Sequence, residues 1–147
     1  MLTDEMTVKG RLHCVLTGPD GTVKREWEQD NLVVNTGKWW IAGRMAGTPA
    51  VMSHMAVGTA SNPTIAAADT ALGTESARRE LSPTTQTPGT NTVVYSAQFP
   101  AGIGTGTLTE AGLFNAASAG TMLARTAISV TKGAADSLTI NWTITVG

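Results

Sequence analysis

Thr107 to Arg125, TLTEAGLFNAASAGTMLAR, reads as a complete β-hairpin with a charge inside it. Leu108 to Asn115 and Thr121 to Ile128 are strand-like runs. Between them Ala116-Ala117-Ser118-Ala119-Gly120 supplies the small side chains a reversal needs, with Gly120 free to take positive φ. Glu110 stands among Leu108, Gly112 and Phe114. A carboxylate in such company must face water or find a donor, because an unpaired buried charge is costly. Arg125, Arg78 and Arg79 are the candidate partners. The solvent-facing alternative stays open, since one face of many antiparallel strands is wet.

Working outward, the run Ser137 to Gly147 (SLTINWTITVG) alternates: Leu138, Ile140, Trp142, Ile144 and Val146 point one way and Ser137, Thr139, Asn141, Thr143 and Thr145 the other. Thr92 to Phe99 does the same, with Val93, Tyr95, Ala97 and Phe99 on the core side. Val8 to Thr17 places Val8, Gly10, Leu12, Cys14 and Leu16 on one face. Turn chemistry at Gly18-Pro19-Asp20-Gly21 leads to a partner strand over Thr22 to Gln29. The glycine-rich Pro100 to Gly106 lacks the Lys-Ser/Thr ending of a phosphate loop and lies between strands, so it reads as a bend.

One helix is predicted, over residues 36–46. Asn35 or Thr36 would cap its start, and Val34, Lys38, Ile41 and Met45 would form its stripe, with Trp40 beside it. Trp39 and Trp40 diverge by about 100° on a helix. At least one should therefore lie at an edge or interface, although both rings covering an open end of the sandwich is the blander expectation. Val51 to Val57 reads as a strand and Arg78 to Thr85 as the start of another. The intervening Gly58 to Glu75, with Asn62-Pro63 as breaker and a weak turn near Ala66 to Leu72, is the longest irregular region. Loops carry contacts while sheets carry shape, although a simple connector is the open alternative for this segment. Trp39, Trp40, Asn62, Pro63, Ile65 and Asp69 are accordingly the candidate interface residues.

The strands and the single helix predict an all-β, mainly antiparallel fold, a β-sandwich or jelly-roll-like domain covering 1–147. Composition agrees: only 14% of residues are charged and 24 are threonine, which favours pleated structure with a neutral surface. Net charge is −1 without basic runs, so nucleic acid is not an expected partner. No run of about 18 apolar residues occurs, so the chain reads as soluble and unexported, with no membrane partner. One cysteine and two histidines offer no metal-ligand spacing, and no nucleophile stands beside a base. The expectation is no enzyme, no cofactor and no metal, with Cys14 packed inside.

Several segments carry a family likeness. MAVGTASNPTIAAADTALGTESARRE from Met55, the TEAGLFN hairpin and the closing NWTITVG together resemble small virion structural proteins of tailed bacteriophages, and are similar in part to tail-collar fibre proteins. NLVVNTGKWWIAGRMAG fits the same pattern. The resemblance implies a virion protein, assembled in the host cytoplasm, whose partners are the major capsid protein or tail proteins and further copies of itself. Because a fibre continues into a shaft or tip whereas this chain ends with its last strand, a capsid decoration or cement role is the first expectation. A tail, collar or baseplate component, or a receptor- or glycan-binding module, is the alternative.

Overall fold

Strand β9 (Ser137–Val146) is the spine of one sheet, because its apolar row needs cover on one side and its Thr/Asn row tolerates water on the other. In the computed structural model, which describes residues 5–147, β9 lies between β1 (Val8–Thr17) and β6 (Thr92–Phe99), with β2 (Val23–Asp30) outside β1. The second sheet runs β3 (Leu32–Val33), β8 (Met122–Lys132), β7 (Gly106–Phe114), β4 (His54–Gly58), β5 (Glu75–Glu80). Every pairing is antiparallel. The hairpins β1–β2, β4–β5 and β7–β8 each stay within one sheet, which suits a sandwich better than a jelly roll.

The core lies between the sheets. Leu12 and Tyr95 flank Trp142 in register, Cys14 and Ala97 flank Ile140, and Leu16 and Phe99 flank Leu138, all buried. Met55, Val57, Leu108, Leu113, Leu123 and Val130 meet them from the other sheet. Each large side chain buried this way contributes about 1.5–3 kcal/mol.

Asn31 marks the crossing from one sheet to the other. Its main-chain N–H donates to Gly10 O (3.2 Å), and its Oδ1 accepts from Trp142 Nε1 (2.8 Å). A Cβ on residue 10 would lie 1.8 Å from that Oδ1, so the crossing requires Gly10. The open sides are stitched by side chains: Arg25 donates to Ser129 O and Gln29 Nε2 to Ala127 O (2.6 Å) along one, and Arg79 Nε to Gln98 O (3.2 Å) along the other. Such contacts blunt edge strands against unwanted pairing.

Helix α1 (Asn35–Met45) forms where expected, but only Val34 and Ile41 of the predicted stripe turn inward. Gly37 and Trp40 face the protein, while Lys38 is exposed and Met45 is 86% exposed. A Cβ on residue 37 would sit 2.0 Å from Leu123 O, so the helix approaches β8 through a glycine that counting of apolar residues overlooks. Nor does a side chain cap the start. Asn35 N donates to Ala67 O (2.8 Å), and Thr36 Oγ1 donates outward to Met122 O (2.8 Å). Two strand starts also differ: β4 begins at His54, with Val51 exposed, and β5 begins at Glu75 and stops at Glu80 rather than running from Arg78.

Candidate functional site

Along β8 the burial pattern is continuous over residues 122–126 and only then alternates. A strand buried on both faces needs cover on its outer side. The cover is the segment 59–74, which folds back over the outer face of the second sheet. Leu72 joins Val34, Ala56, Phe114 and Met122 in a small second core there. Gly112 leaves room for it, since a Cβ would lie 3.0 Å from both Leu72 Cδ2 and the Phe114 ring.

Glu110 lies beneath this segment with none of its surface exposed. Its Oε1 accepts from Arg125 Nη2 (2.7 Å) and Gly73 N (2.8 Å), and its Oε2 from Thr74 N (2.8 Å) and Ala60 N (3.3 Å). Of the three arginines considered, Arg125 is therefore the partner. Arg125 Nη1 also donates to Asp69 Oδ2 (2.7 Å), and the same Asp69 oxygen accepts from Ala66 N (2.8 Å). Burial pushes the Glu110 pKa up, but the Thr74, Gly73, Arg125 and Ala60 donors outweigh it and hold the carboxyl below its ordinary range. Asp69 is likewise held low: burial opposes ionisation, and the Ala66 N–H and Arg125 overcome it. Gly58 and Gly73 make the space, since a Cβ at 58 would fall 2.5 Å from Thr74 O and one at 73 would fall 2.8 Å from Ala60 Cβ.

Arg78 holds the neighbouring hairpin tip. Its guanidinium stacks over Phe114 (3.9 Å to the ring centre), pairs with Glu75 (2.6 Å), and donates to Ala116 O and Ala119 O (2.9 Å each). The tip thereby sits between the two predicted interface regions. On one side a cleft brings Thr70 and Ala71 to Ser118 and Ala119. On the other Thr121 shares a shallow cleft with Trp39 and Pro49.

The candidate residues divide into outward and inward groups. Trp39 is 70% exposed, whereas Trp40 is buried and donates Nε1 to Ala50 O (2.8 Å), so only one of the two rings covers the sandwich. Asn62 is exposed, and Pro63 and Ile65 are half-buried. Asp69 spends its carboxylate on Arg125 and Ala66 and is an internal brace. Sequence reading passed over Lys132 and Asp136, both buried. Lys132 Nζ donates to Pro100 O (2.9 Å), and Asp136 accepts from Lys24 Nζ (2.9 Å) and Gly133 N (2.8 Å). Lys132 ends the alternating half of β8, in step with Ile128 and Val130, which puts it on the inward row. That was the available signal.

The arrangement braces a loop. Its carboxylates face an arginine and main-chain amides, and no group of three or more His, Cys, Asp or Glu side chains that could hold a metal occurs among the described residues. The family of phage tail-collar fibre proteins, N-terminal part, matches residues 29–147. No curated protein and no solved structure matches the chain. The match takes in every element from β3 to β9 and the whole Glu110 cluster, and the chain belongs to that family. Its tail-related, structural character favours the tail alternative over the capsid-decoration expectation.

Proposed function

We propose that this member of the phage tail-collar fibre family is a non-enzymatic component of the tail, collar or baseplate. It is assembled into the virion in the host cytoplasm in several copies, and docks on neighbouring tail proteins through the face bearing Trp39, Asn62, Pro63 and Ile65. The observation that carries the reading is the match over residues 29–147, which takes in that whole face. Geometry supports it. The 59–74 segment is fastened by its own main-chain N–H groups to Glu110, so its outward side chains are held in place before any partner arrives. Preorganisation of this kind lowers the ordering cost of binding. Individually modest contacts then gain strength by repetition.

The test is to locate the chain in purified particles by cryo-electron microscopy and to compare particles carrying Trp39→Ser. Density at the tail or collar, lost in the variant, supports the proposal. Many copies in register with the head lattice would return the assignment to capsid decoration. Tight binding of the isolated domain to a soluble glycan, abolished by Trp39→Ser, would instead favour the receptor-binding alternative.

A further inference from the structure

We propose that the groove bounded by β1, β3 and the first turn of α1 binds a carboxylate-bearing peptide segment of a neighbouring virion protein. The groove encloses about 430 Å3, and Val8, Lys9, Asn31, Leu32, Val33 and Lys38 contribute to its lining. It is large enough for a few side chains.

The argument begins with the cations. The chain has ten Lys and Arg residues. Arg11, Lys24, Arg78 and Arg125 sit in ion pairs. Arg25, Arg44, Arg79 and Lys132 donate to main-chain carbonyls. Lys9 and Lys38 alone have neither kind of partner among the described residues, and both border this groove. They come from distant parts of the sequence, one from β1 and one from α1, and the fold brings them together. Asp30, the one carboxylate in the lining, is taken by Arg11 Nη1 (2.8 Å). Asn31 fixes the floor of the groove, since its Oδ1 is held by Trp142 Nε1.

Two ammonium groups that border one groove without a carboxylate or carbonyl partner favour an anion there. The rest of the lining says which class. Leu32 is partly exposed, and Val8 and Val33 extend the apolar surface beside the lysines, a mixture that suits an apolar side chain flanked by acidic ones. A nucleic-acid backbone would need a longer basic track than two lysines on a chain of net charge −1. The inference rests on the reading that the domain's partners are proteins, but it uses a different surface from the Trp39 and 59–74 face.

The test uses the full isotopically labelled chain and three probes: acetyl-Glu-Leu-Glu-amide, its Gln-Leu-Gln counterpart, and inorganic phosphate. The acidic peptide should shift the NMR signals of Lys9, Gly10, Asn31 and Lys38, should weaken as salt is added, and should bind about tenfold less tightly to the Lys9→Gln/Lys38→Gln chain. Both lysines are exposed, so circular dichroism should show that chain folded. The proposal fails if the neutral peptide binds equally well, if phosphate alone reproduces the effect, or if nothing moves up to about 10 mM, where affinity is negligible. Particles separate this failure from that of the docking reading. Normal tail incorporation of the double variant, with incorporation lost in Trp39→Ser, overturns the groove and leaves tail docking standing; absence of the wild-type chain from purified tails removes the docking reading itself.

Discussion

Glu110→Gln is the most informative single substitution, because it preserves shape and removes only the charge and half the acceptor capacity. Each oxygen of Glu110 now accepts two N–H groups: Gly73 N and Arg125 Nη2 on Oε1, Thr74 N and Ala60 N on Oε2. Glutamine has one oxygen. Whichever way its amide turns, an NH2 group confronts two donors, and Arg125 loses one of its two charge partners where it is largely buried. Leaving a buried donor unmet costs about 1–3 kcal/mol, and removing one partner of a buried ion pair about 3–5 kcal/mol. These overlap, since Arg125 keeps Asp69 and the Gly73 and Thr74 amides can reach water if the segment lifts. We expect a loss of about 3–4 kcal/mol, a large share of the 5–15 kcal/mol typical of a domain. Urea denaturation followed by tryptophan fluorescence gives the midpoint, and hydrogen exchange at Gly73 and Thr74 shows whether the segment has come free. Glu110→Gln/Arg125→Met discriminates further. If the cluster were only an ion pair, replacing both partners would come close to neutral. Because three main-chain donors also converge on Glu110, the double variant should stay at least about 2 kcal/mol below wild type. A Glu110→Gln midpoint equal to wild type, or full recovery in the double variant, would refute the account of Glu110 as the anchor of residues 59–74.

Three further outcomes follow from the same packing. Trp142→Ala should cost about 3–5 kcal/mol, as it empties the core centre and strands Asn31, whereas Thr143→Ala on the outer face should stay within about 0.5 kcal/mol; denaturant midpoints decide, and equal losses would mean the inward row is misassigned. Cys14, wholly buried, has its thiol pushed up to about 12 by burial, against the opposing charge of Arg25, so a disulfide thiol reagent at pH 8 should leave the native chain untouched and titrate one thiol after unfolding in urea. Stability should also fall in acid. Glu110, Asp69 and Asp136 all have folded pKa values below their ordinary ones, so their stabilisation is complete above the unfolded carboxylate range and lost as pH drops through the folded values. Urea midpoints should therefore hold from pH 7 to about 5 and decline below about 4, and a midpoint that rises on acidification would contradict the sign.

Much of the sandwich is legible in the sequence because its strands obey a period of two. β9 and β6 alternate without interruption, and β1 does so from Val8 to Leu16. The hairpin at 107–125 is legible for a second reason, its turn chemistry: Gly120 takes φ 78°, and the loop of small residues spans the reversal. Periodicity fails where a third layer intervenes. Residues 122–126 are buried on both faces by a segment with no regular structure of its own, so neither its docking nor the choice of Arg125 over Arg78 or Arg79 has a local signature. The helix face was only half legible. Of the expected stripe, Val34 and Ile41 turn inward while Lys38 and Met45 face out, and the close approach is made by Gly37, a residue that scores as neither apolar nor polar. Lys9 and Lys38 are unremarkable in the sequence and become a pair only through the crossing at Asn31.

That crossing also bears on how one small domain can hold two docking surfaces. Asn31 ties β1, through Gly10 O, to β9, through Trp142 Nε1, just before the chain enters β3 and α1. Helix α1 then carries Lys38 toward the groove and, one residue on, Trp39 toward the hairpin tip. The same helix start is fixed to the 59–74 segment by the Asn35 N–H to Ala67 O bond. Movement of either surface is thereby resisted by the main chain of the other, and both are referred to the buried Glu110 and Trp142. The two proposed docking surfaces, if both are used, would need this stiffness. If the segment were free, each contact would have to order it, at about 1–2 kcal/mol per residue of backbone, and small exposed residues such as Asn62 could not offset that loss. Under the proposed docking, Glu110 would act from beneath the surface, by holding the outer layer in the shape that a partner meets.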